Sequence, residues 1–288
     1  MFTIPKPVIE SVEQALNAKI TGSQPVSGGS INYAFKLKTG NGNFFLKWND
    51  AKLFPGMFEA EASGLKILNS VAAVNTPKVI SFGEADGSSY LLLQWIEAGR
   101  RKSDYWKNFG KGLAELHRHS SDTFGLDHDN FIGSLQQSNR QHSNWIDFFI
   151  AERIEPQIRL AIAQGRLPVE IKNRLNIFYK RLPEIFPAEK PSLLHGDLWN
   201  GNVIVGEDDS ACLVDPAVYY GHREMDVSMT RLFGGFDPDF YDSYDEHFPL
   251  EKNADSRIDI CNLYPLLVHV NLFGGGYVQQ VQSILSKF

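Results

Sequence analysis

Only two cysteines, Cys212 and Cys261, occur in this chain of 288 residues. Two cannot form a framework of bridges, and Cys212 falls inside an apolar run, so both are expected as free thiols in a reducing compartment. No run of Lys and Arg and no basic helix appears, and the net charge of −6 argues against a nucleic-acid partner. No uninterrupted apolar stretch approaches membrane-spanning length, and Met1-Phe2-Thr3-Ile4-Pro5-Lys6-Pro7 lacks the apolar core of a secretion signal. These absences predict a cytoplasmic protein with neither a membrane nor a nucleic acid as partner. Internal repeats, low-complexity tracts, a G-x-G-x-x-G turn and a Walker A sequence are missing too. What is present is enough apolar material, 43% of residues, to bury one large core or two modest ones, and two lobes fit best.

The most informative stretch is Leu193-Leu194-His195-Gly196-Asp197-Leu198-Trp199-Asn200-Gly201-Asn202-Val203-Ile204-Val205, with Asp215-Pro216-Ala217 ten residues further on. Its H-x-D-L-x-x-x-N spacing is that of a kinase catalytic loop. There an aspartate takes the proton of the attacking hydroxyl, while an asparagine and a later aspartate hold the Mg²⁺ that bridges the ATP phosphates. Val203–Val205 and Ala211–Val214 read as two short strands joined by a turn at 206–210, a hairpin that would carry Asp215 back beside Asn202. The plainer alternative is a loop that merely closes before a strand.

Upstream, residues 8–20 have the spacing of a short amphipathic helix, followed by strand-like runs at Ala34–Lys38 and Phe44–Trp48. Between them Gly28, Gly29 and Ser30 make a turn whose backbone N–H groups can approach phosphate, although a Gly-Gly hairpin is an ordinary structural feature. Lys47 ends an otherwise apolar strand and needs a partner. The helix expected over Phe58–Ser70 offers Glu61, on one face with Leu65 and Leu68, whereas Glu59 points to solvent. A Lys47–Glu61 pair would place the ammonium on the ATP phosphates. Tyr90–Ile96 reads as an apolar strand running into a glycine-containing link, with the backbone at Gln94, Trp95 and Ile96 positioned to meet adenine. That division gives an N-terminal nucleotide-binding lobe at residues 1–96 and a catalytic, acceptor-binding lobe at 97–288.

The second lobe reads as helices over 103–119, 143–165, 168–182, 222–233, 239–246, 256–273 and 277–287. His117 and His119 fall on different helix faces, so a metal pair is not expected and His117 is read as a packed polar residue. Trp106, Trp145, Phe148 and Phe149 read as core. Trp199, two residues from Asp197, offers a flat face to a sugar-like acceptor. Asp215 and Asp226 are separated by only ten residues, and no A-P-E signature follows. A peptide would have no cradle, which points to a small acceptor or one modified side chain.

With these motifs on the page, the chain resembles the fructosamine (ketosamine) kinases, relatives of aminoglycoside phosphotransferases and choline kinases. The resemblance spans nearly the whole length. It is carried by Ser27–Asn32, Phe44 with Leu46-Lys47, Met57–Ala62, Phe124-Gly125 with Asn130, Ile132 and Gly133, Leu194–Asn202, Asp215-Pro216-Ala217, Tyr220–Glu224, Phe233–Phe236 and Asn271–Tyr277. It implies an α+β, protein-kinase-like two-lobed fold with a small β-rich N-terminal lobe and a large, mainly helical C-terminal lobe. It also implies ATP- and Mg²⁺-dependent phosphorylation of the sugar 3-hydroxyl of a small-molecule ketoamine or a glycated lysine side chain, an ester that destabilises the adduct and releases the amine. Asp197 would be the base, Asn202 and Asp215 the metal ligands, Lys47 the phosphate lysine with Glu61, and Asp226 a brace for the loop. Trp199 and His269, with Asn271, are candidates for the acceptor wall. Asp-Pro-Ala in place of Asp-Phe-Gly removes the mobile Phe switch of protein kinases. Two rivals remain open: a kinase for another small acceptor (aminoglycoside, choline or sugar), kept alive by Glu224, Asp226, Asp237 and Asp239, and a catalytically silent nucleotide sensor.

Overall fold

The computed structural model describes residues 3–27 and 31–288, so the expected phosphate turn at Gly28, Gly29 and Ser30 lies outside the described residues. The chain divides into two compact units, one of Met1–Lys102 with Ile204–Asp215, the other of Ser103–Val203 with Pro216–Phe288. The sequence expectation drew its line after Ile96. The first unit runs six residues further and also takes in the segment 204–215.

In the first unit, helix α1 (Lys6–Leu16) stops a turn earlier than the periodicity predicts. Asn17 adopts a left-handed φ of 48° and caps the helix, which frees Ile20 to open strand β1 (Ile20–Pro25) opposite Thr39. Strands β2 (Tyr33–Thr39) and β3 (Gly42–Asp50), helix α2 (Met57–Val71), and strands β4 (Val79–Ala85) and β5 (Ser88–Gln94) complete an antiparallel sheet of order β1-β2-β3-β5-β4. β4 went unread because its Ser81, Gly83 and Glu84 dilute the apolar pattern. Its signal was the Asp86-Gly87 turn, where φ values of 48° and 77° build a two-residue hairpin.

The two helices take opposite faces of this sheet. Val8 and Val12 of α1 pack with Leu37, Leu46, Tyr90 and Leu92, whereas Phe58, Ala62 and Leu65 of α2 pack with Leu91 and Leu93. Successive strand residues point to alternate faces, so a strand covered on both sides must be apolar without interruption. The run Tyr90-Leu91-Leu92-Leu93 meets that demand, and each fully buried leucine contributes about 1.5–3 kcal/mol.

The second unit begins with α3 (Tyr105–His117) and a small hairpin of β6 (Asn130–Ile132) and β7 (Leu135–Gln137). The single helix expected over 143–165 is α4 (Trp145–Phe148) continuing through a π-helical stretch, Phe149–Ile154, into α5 (Glu155–Ala163). Then follow α6 (Ile171–Ile185) and β8 (Ser192–Leu194), the first unit's hairpin of β9 (Val203–Val205) and β10 (Ala211–Leu213), and then β11 (Tyr219–Gly221), α7 (Glu224–Leu232), α8 (Pro238–His247), α9 (Ala254–Phe273) and α10 (Gly276–Leu285) of the second unit. β8 pairs antiparallel with β11, and β9 with β10. The pairs β6–β7 and β8–β11 were not anticipated, since three residues are too few to show a period of two.

The hairpin segment belongs to the first unit through its own bonds. Gly99 donates to the Val205 carbonyl at 2.9 Å, Leu213 to the Asn75 carbonyl at 2.8 Å, and the Asn75 amide to Asp208 and Ser210 at 3.1 and 2.7 Å. In the second unit α9 is buried nearly all round and anchors the core with Phe148, Phe149, Phe178 and Tyr219. The guanidinium of Arg153 is also wholly buried. It donates to the Ser138 carbonyl at 2.6 Å and to Asn139 Oδ1 at 2.7 Å, and it sits over the rings of Phe148 and Tyr219 at 4.5 and 3.9 Å. Such π faces offset part of the desolvation cost of the charge. Among the described residues, no helix is long and apolar enough to cross a membrane.

Both cysteines are buried free thiols, and burial pushes the Cys212 thiol up to about 12 and that of Cys261 further in the same direction. Because only the thiolate reacts, a thiol reagent at about pH 8 should label the native protein roughly a thousandfold more slowly than the urea-unfolded chain. The release of chromophore from a disulfide reagent measures this, and fast native labelling of either thiol would contradict it.

Candidate active site

The alternation of β3 turns Leu46 toward α1 and Lys47 toward α2. Register places Lys47 between Ala34 and Leu91, and its ammonium reaches Glu61 of α2 at 2.8 Å and Asp215 at 2.5 Å. Burial alone would lower the lysine pKa, but the two carboxylates more than reverse that, so the net shift is upward and Lys47 is held as the cation. Burial pushes Glu61 up, with Lys47 opposing. The lysine and Glu61 side chains are 7% and 11% exposed while that of Asp215 is 49% exposed, so Asp215 is the open member of the trio. Asp215 also has a left-handed φ of 54°, a conformation that costs a non-glycine residue energy and collects at functional positions.

The expected strand through Ile96 ends at Gln94, where its pairing with β3 stops opposite Phe44. Trp95 and Ile96 are therefore half-buried link residues, the Trp95 ring lying under the Lys36 ammonium at 4.1 Å. The Gln94 N–H is already bonded to the Lys78 carbonyl at 2.9 Å, which removes it from any role toward adenine.

In the second unit, β8 delivers the chain into the loop at His195. The backbone N–H groups of His195 and Gly196 both donate to the carboxylate of Asp226, at 2.7 and 2.9 Å, and the His195 carbonyl accepts from Ala217 at 2.9 Å. Gly196 has a φ of +84°, and a Cβ there would lie 2.0 Å from the Ala217 carbonyl oxygen. Only glycine fits. A single 3₁₀ turn, Asn200–Asn202, then brings the Asn202 amide to the backbone oxygen and Oδ2 of Asp197, each at 2.8 Å. Both amide protons thus hold Asp197, which leaves the Asn202 carbonyl oxygen as its acceptor end. Behind the loop, Asn130 donates to the Val218 carbonyl at 2.7 Å and Gln137 to the Ala217 carbonyl at 3.2 Å.

Trp199 is half-buried and meets Phe233 edge-on at 5.6 Å between ring centroids. Phe233 lies 4.9 Å from His269, which in turn lies 4.9 Å from Tyr277 and 5.5 Å from the exposed Phe273. The structure thereby brings Trp199 and His269 into one aromatic wall through Phe233. His269 Nδ1 bonds the Pro265 carbonyl at 2.7 Å, so that nitrogen carries the proton, and burial lowers the imidazole pKa. Asn271 stands apart, its amide donating to the carbonyl and Oε1 of Gln157 at 2.9 and 2.8 Å. Sequence reasoning missed Phe233 as the link, although Phe233-Gly234-Gly235-Phe236 was among the telling motifs. Gln137 carried no signal of its own.

A small sheet unit carrying a buried Lys–Glu pair, and a helical unit carrying an aspartate-asparagine loop, define the protein-kinase-like phosphotransferases. The fold is shared with a thermostable variant of the aminoglycoside phosphotransferase APH(4)-Ia, at a TM-score of 0.65 and 15% identity over 98% of each chain. A Haemophilus somnus protein assigned as a fructosamine-3-kinase superposes with a TM-score of 0.88 and 29% identity, over 98% of this chain and 96% of that one. Among curated sequences, an assigned ketoamine kinase of Enterococcus faecium is 41% identical over 95% of this chain and 96% of its own. The chloroplastic protein-ribulosamine 3-kinase of Arabidopsis thaliana is 36% identical over 94% of this chain and 83% of its own. Residues 4–288 match the sequence profile described as fructosamine kinase, and the chain belongs to that family.

Because Gly196 combines left-handed backbone with the closest approach in the loop, Gly196→Ala should destabilise the protein by about 2 kcal/mol or more and lower turnover about 100-fold through misplacement of Asp197. Urea unfolding and steady-state ATP turnover check the pair, and an alanine variant of normal stability and rate would contradict it.

Proposed function

We propose that this protein transfers the γ-phosphoryl group of ATP, with Mg²⁺, to the sugar 3-hydroxyl of ketosamines, either free fructosamine or ribulosamine adducts or the same adducts on lysine side chains. The observation that carries this reading is the hold on Asp197, whose backbone carbonyl and carboxylate both accept from the Asn202 amide within a loop braced by Asp226. Asp197 orients the sugar hydroxyl and takes its proton as the new O–P bond forms and the bond from the γ-phosphorus to the β,γ-bridging oxygen breaks, releasing ADP. Positioning and charge stabilisation do most of the catalysis in such transfers.

Lys47 binds the phosphate oxygens and Glu61 keeps its ammonium in place, with Gly28, Gly29 and Ser30 as the phosphate turn. Adenine meets the link at Trp95 and Ile96, with the Gln94 carbonyl. The donor set suits Mg²⁺, a hard cation that takes one or two protein oxygens beside phosphates and waters. Asp215 presents an exposed carboxylate and Asn202 a carbonyl oxygen left over from holding Asp197. No cluster of three or more His, Cys, Asp or Glu side chains apt for a metal occurs among the described residues. When bound, Mg²⁺ would neutralise phosphate charge.

For the acceptor, Trp199 and His269 supply a flat, largely uncharged wall, which suits a sugar ring better than a polycation. Of the acidic residues that would favour an aminoglycoside, Glu224 and Asp226 are buried and engaged, whereas Asp237 and Asp239 stay partly open to solvent. Glu224 holds Arg257 at 2.6 and 2.7 Å, Asp226 holds the loop, Asp237 caps α8 at 3.0 Å, and Asp239 faces Lys107 at 3.8 Å. This supports the ketosamine reading, as do the names of the relatives. A cytoplasmic setting fits the two free thiols.

The test is ATP consumption with Mg²⁺ on fructosyl-lysine, ribulosyl-lysine, choline, kanamycin and free ribulose, with Asp197→Ala as control. Turnover should be confined to the ketosamines and fall by about 10³-fold or more in the control, with ATP affinity nearly intact. Turnover on choline or kanamycin alone would replace the substrate, and a fully active Asp197→Ala variant would end the assignment of the base.

A further inference from the structure

We propose that Asn49 is a positioning residue for the phosphate-binding face of the first unit: it holds α2 in register with Lys47 and turns the amide N–H groups of Asn32 toward the nucleotide. Asn49 follows Lys47 by two residues on β3, so both side chains point to the α2 face of the sheet. Met57 and Glu61 are four residues apart on α2 and share one face of that helix. The Asn49 amide nitrogen meets the Met57 sulfur at 3.4 Å, and the Lys47 ammonium meets Glu61 at 2.8 Å. Two strand residues advance about 6.6 Å and four helical residues about 6 Å, so the two contacts form matched rungs between β3 and α2. The Asn49 rung sets the height of α2, and with it the place of the Glu61 carboxylate against the lysine.

The chemistry of the partners fixes which way each amide faces. A thioether sulfur carries no hydrogen, so the Asn49 atom against Met57 is the amide nitrogen. The same nitrogen lies 2.8 Å from Asn32, whose facing atom must accept and is therefore Oδ1. Asn49 Oδ1 in turn accepts from the hydroxyl of Ser89, its register partner on β5. Asn49 and Ser89 are 2% and 5% exposed, and the buried amide has both N–H groups and its oxygen engaged within the protein. Asn32 is left with its NH2 group turned away from Asn49. Ala34 is the register partner of Lys47, which makes Asn32, two residues earlier, a diagonal neighbour of the lysine at about 7–8 Å between Cα atoms. An ammonium and an amide donor so spaced on one face serve a single polyphosphate chain. The proposal rests on the reading of Lys47 as the phosphate lysine.

The experiment uses the full chain with Asn32→Asp, Asn32→Ala, Asn49→Leu and the double variant Asn32→Ala/Asn49→Leu. Each is measured for kcat, KM for ATP, KM for a ribulosyl-lysine, inhibition by adenosine, and Tm. Asn32→Asp keeps an acceptor for Asn49 and replaces the NH2 group by an anion. It should leave Tm within a few degrees and raise KM for ATP about 30-fold or more, with adenosine inhibition and the acceptor KM unchanged. Asn32→Ala and Asn49→Leu should each raise KM for ATP about 10-fold, and the double variant should match Asn49→Leu alone. An unchanged KM for ATP in Asn32→Asp, an equal loss toward adenosine, or losses that multiply in the double variant each overturn the proposal. A Lys47→Met control separates the two ideas: a normal KM for ATP there sinks the phosphate lysine itself, whereas a raised KM there beside a normal Asn32→Asp sinks the role of Asn49 and Asn32 alone.

Discussion

A carboxylate withdrawn from water persists only when every lone pair it turns inward finds a donor. Asp226 meets that condition by accepting two consecutive backbone N–H groups, from His195 and Gly196, together with the imidazole of His117. Much of the second unit follows from that arrangement. The two N–H groups can converge on one carboxylate only if the backbone turns sharply at 196, which requires glycine. The turn in turn aims Asp197 at the Asn202 amide, five residues on. The loop is therefore held from behind by charge-assisted bonds and from within by a side-chain amide, and neither hold depends on a ligand.

The first unit handles charge differently. Lys47 is buried with two carboxyl groups for one ammonium, which keeps the lysine protonated, and Asp215 is the open member of the trio. The cluster of Trp199, Phe233 and His269 is by contrast aromatic, with a histidine whose charged form burial disfavours. Ionic groups elsewhere in the helical unit, such as Glu224 with Arg257 and Glu189 with Arg223, are closed pairs at the base of α7 and stabilise helix packing. Breaking such a pair by removing one partner costs about 3–5 kcal/mol.

Several elements were legible because their physics is local. The long helices follow from periodicity, the fold class follows from the motifs that carry the family resemblance, and the inward direction of Glu61 follows from its spacing to Leu65 and Leu68. The strands that escaped notice, β4, β6, β7, β8 and β11, are short or diluted with polar residues, and they exist because a partner strand or a loop lies beside them. α1 was read too long because Val8, Val12, Leu16 and Ile20 keep helical spacing while Asn17 breaks the helix between them. Gln94 was grouped with Trp95 and Ile96 by position alone, yet its N–H is already taken by Lys78.

The amino-acid order alone singled out which side chains could do chemistry, since two aspartates and an asparagine at kinase spacing are a property of a short loop and a hairpin. It also determined the family, because motifs scattered from Ser27 to Tyr277 share one sequence pattern. Tertiary structure decided what those side chains are made to do. Whether Lys47 is charged, which protons of Asn202 are engaged, why Phe233 joins Trp199 to His269, and how His117 at the end of α3 comes to stand behind Asp226 all depend on groups far apart in the chain. Burial and hydrogen bonding act through space, and residues such as Asp226 and His117, 109 positions apart, acquire their roles only when the helices that carry them pack.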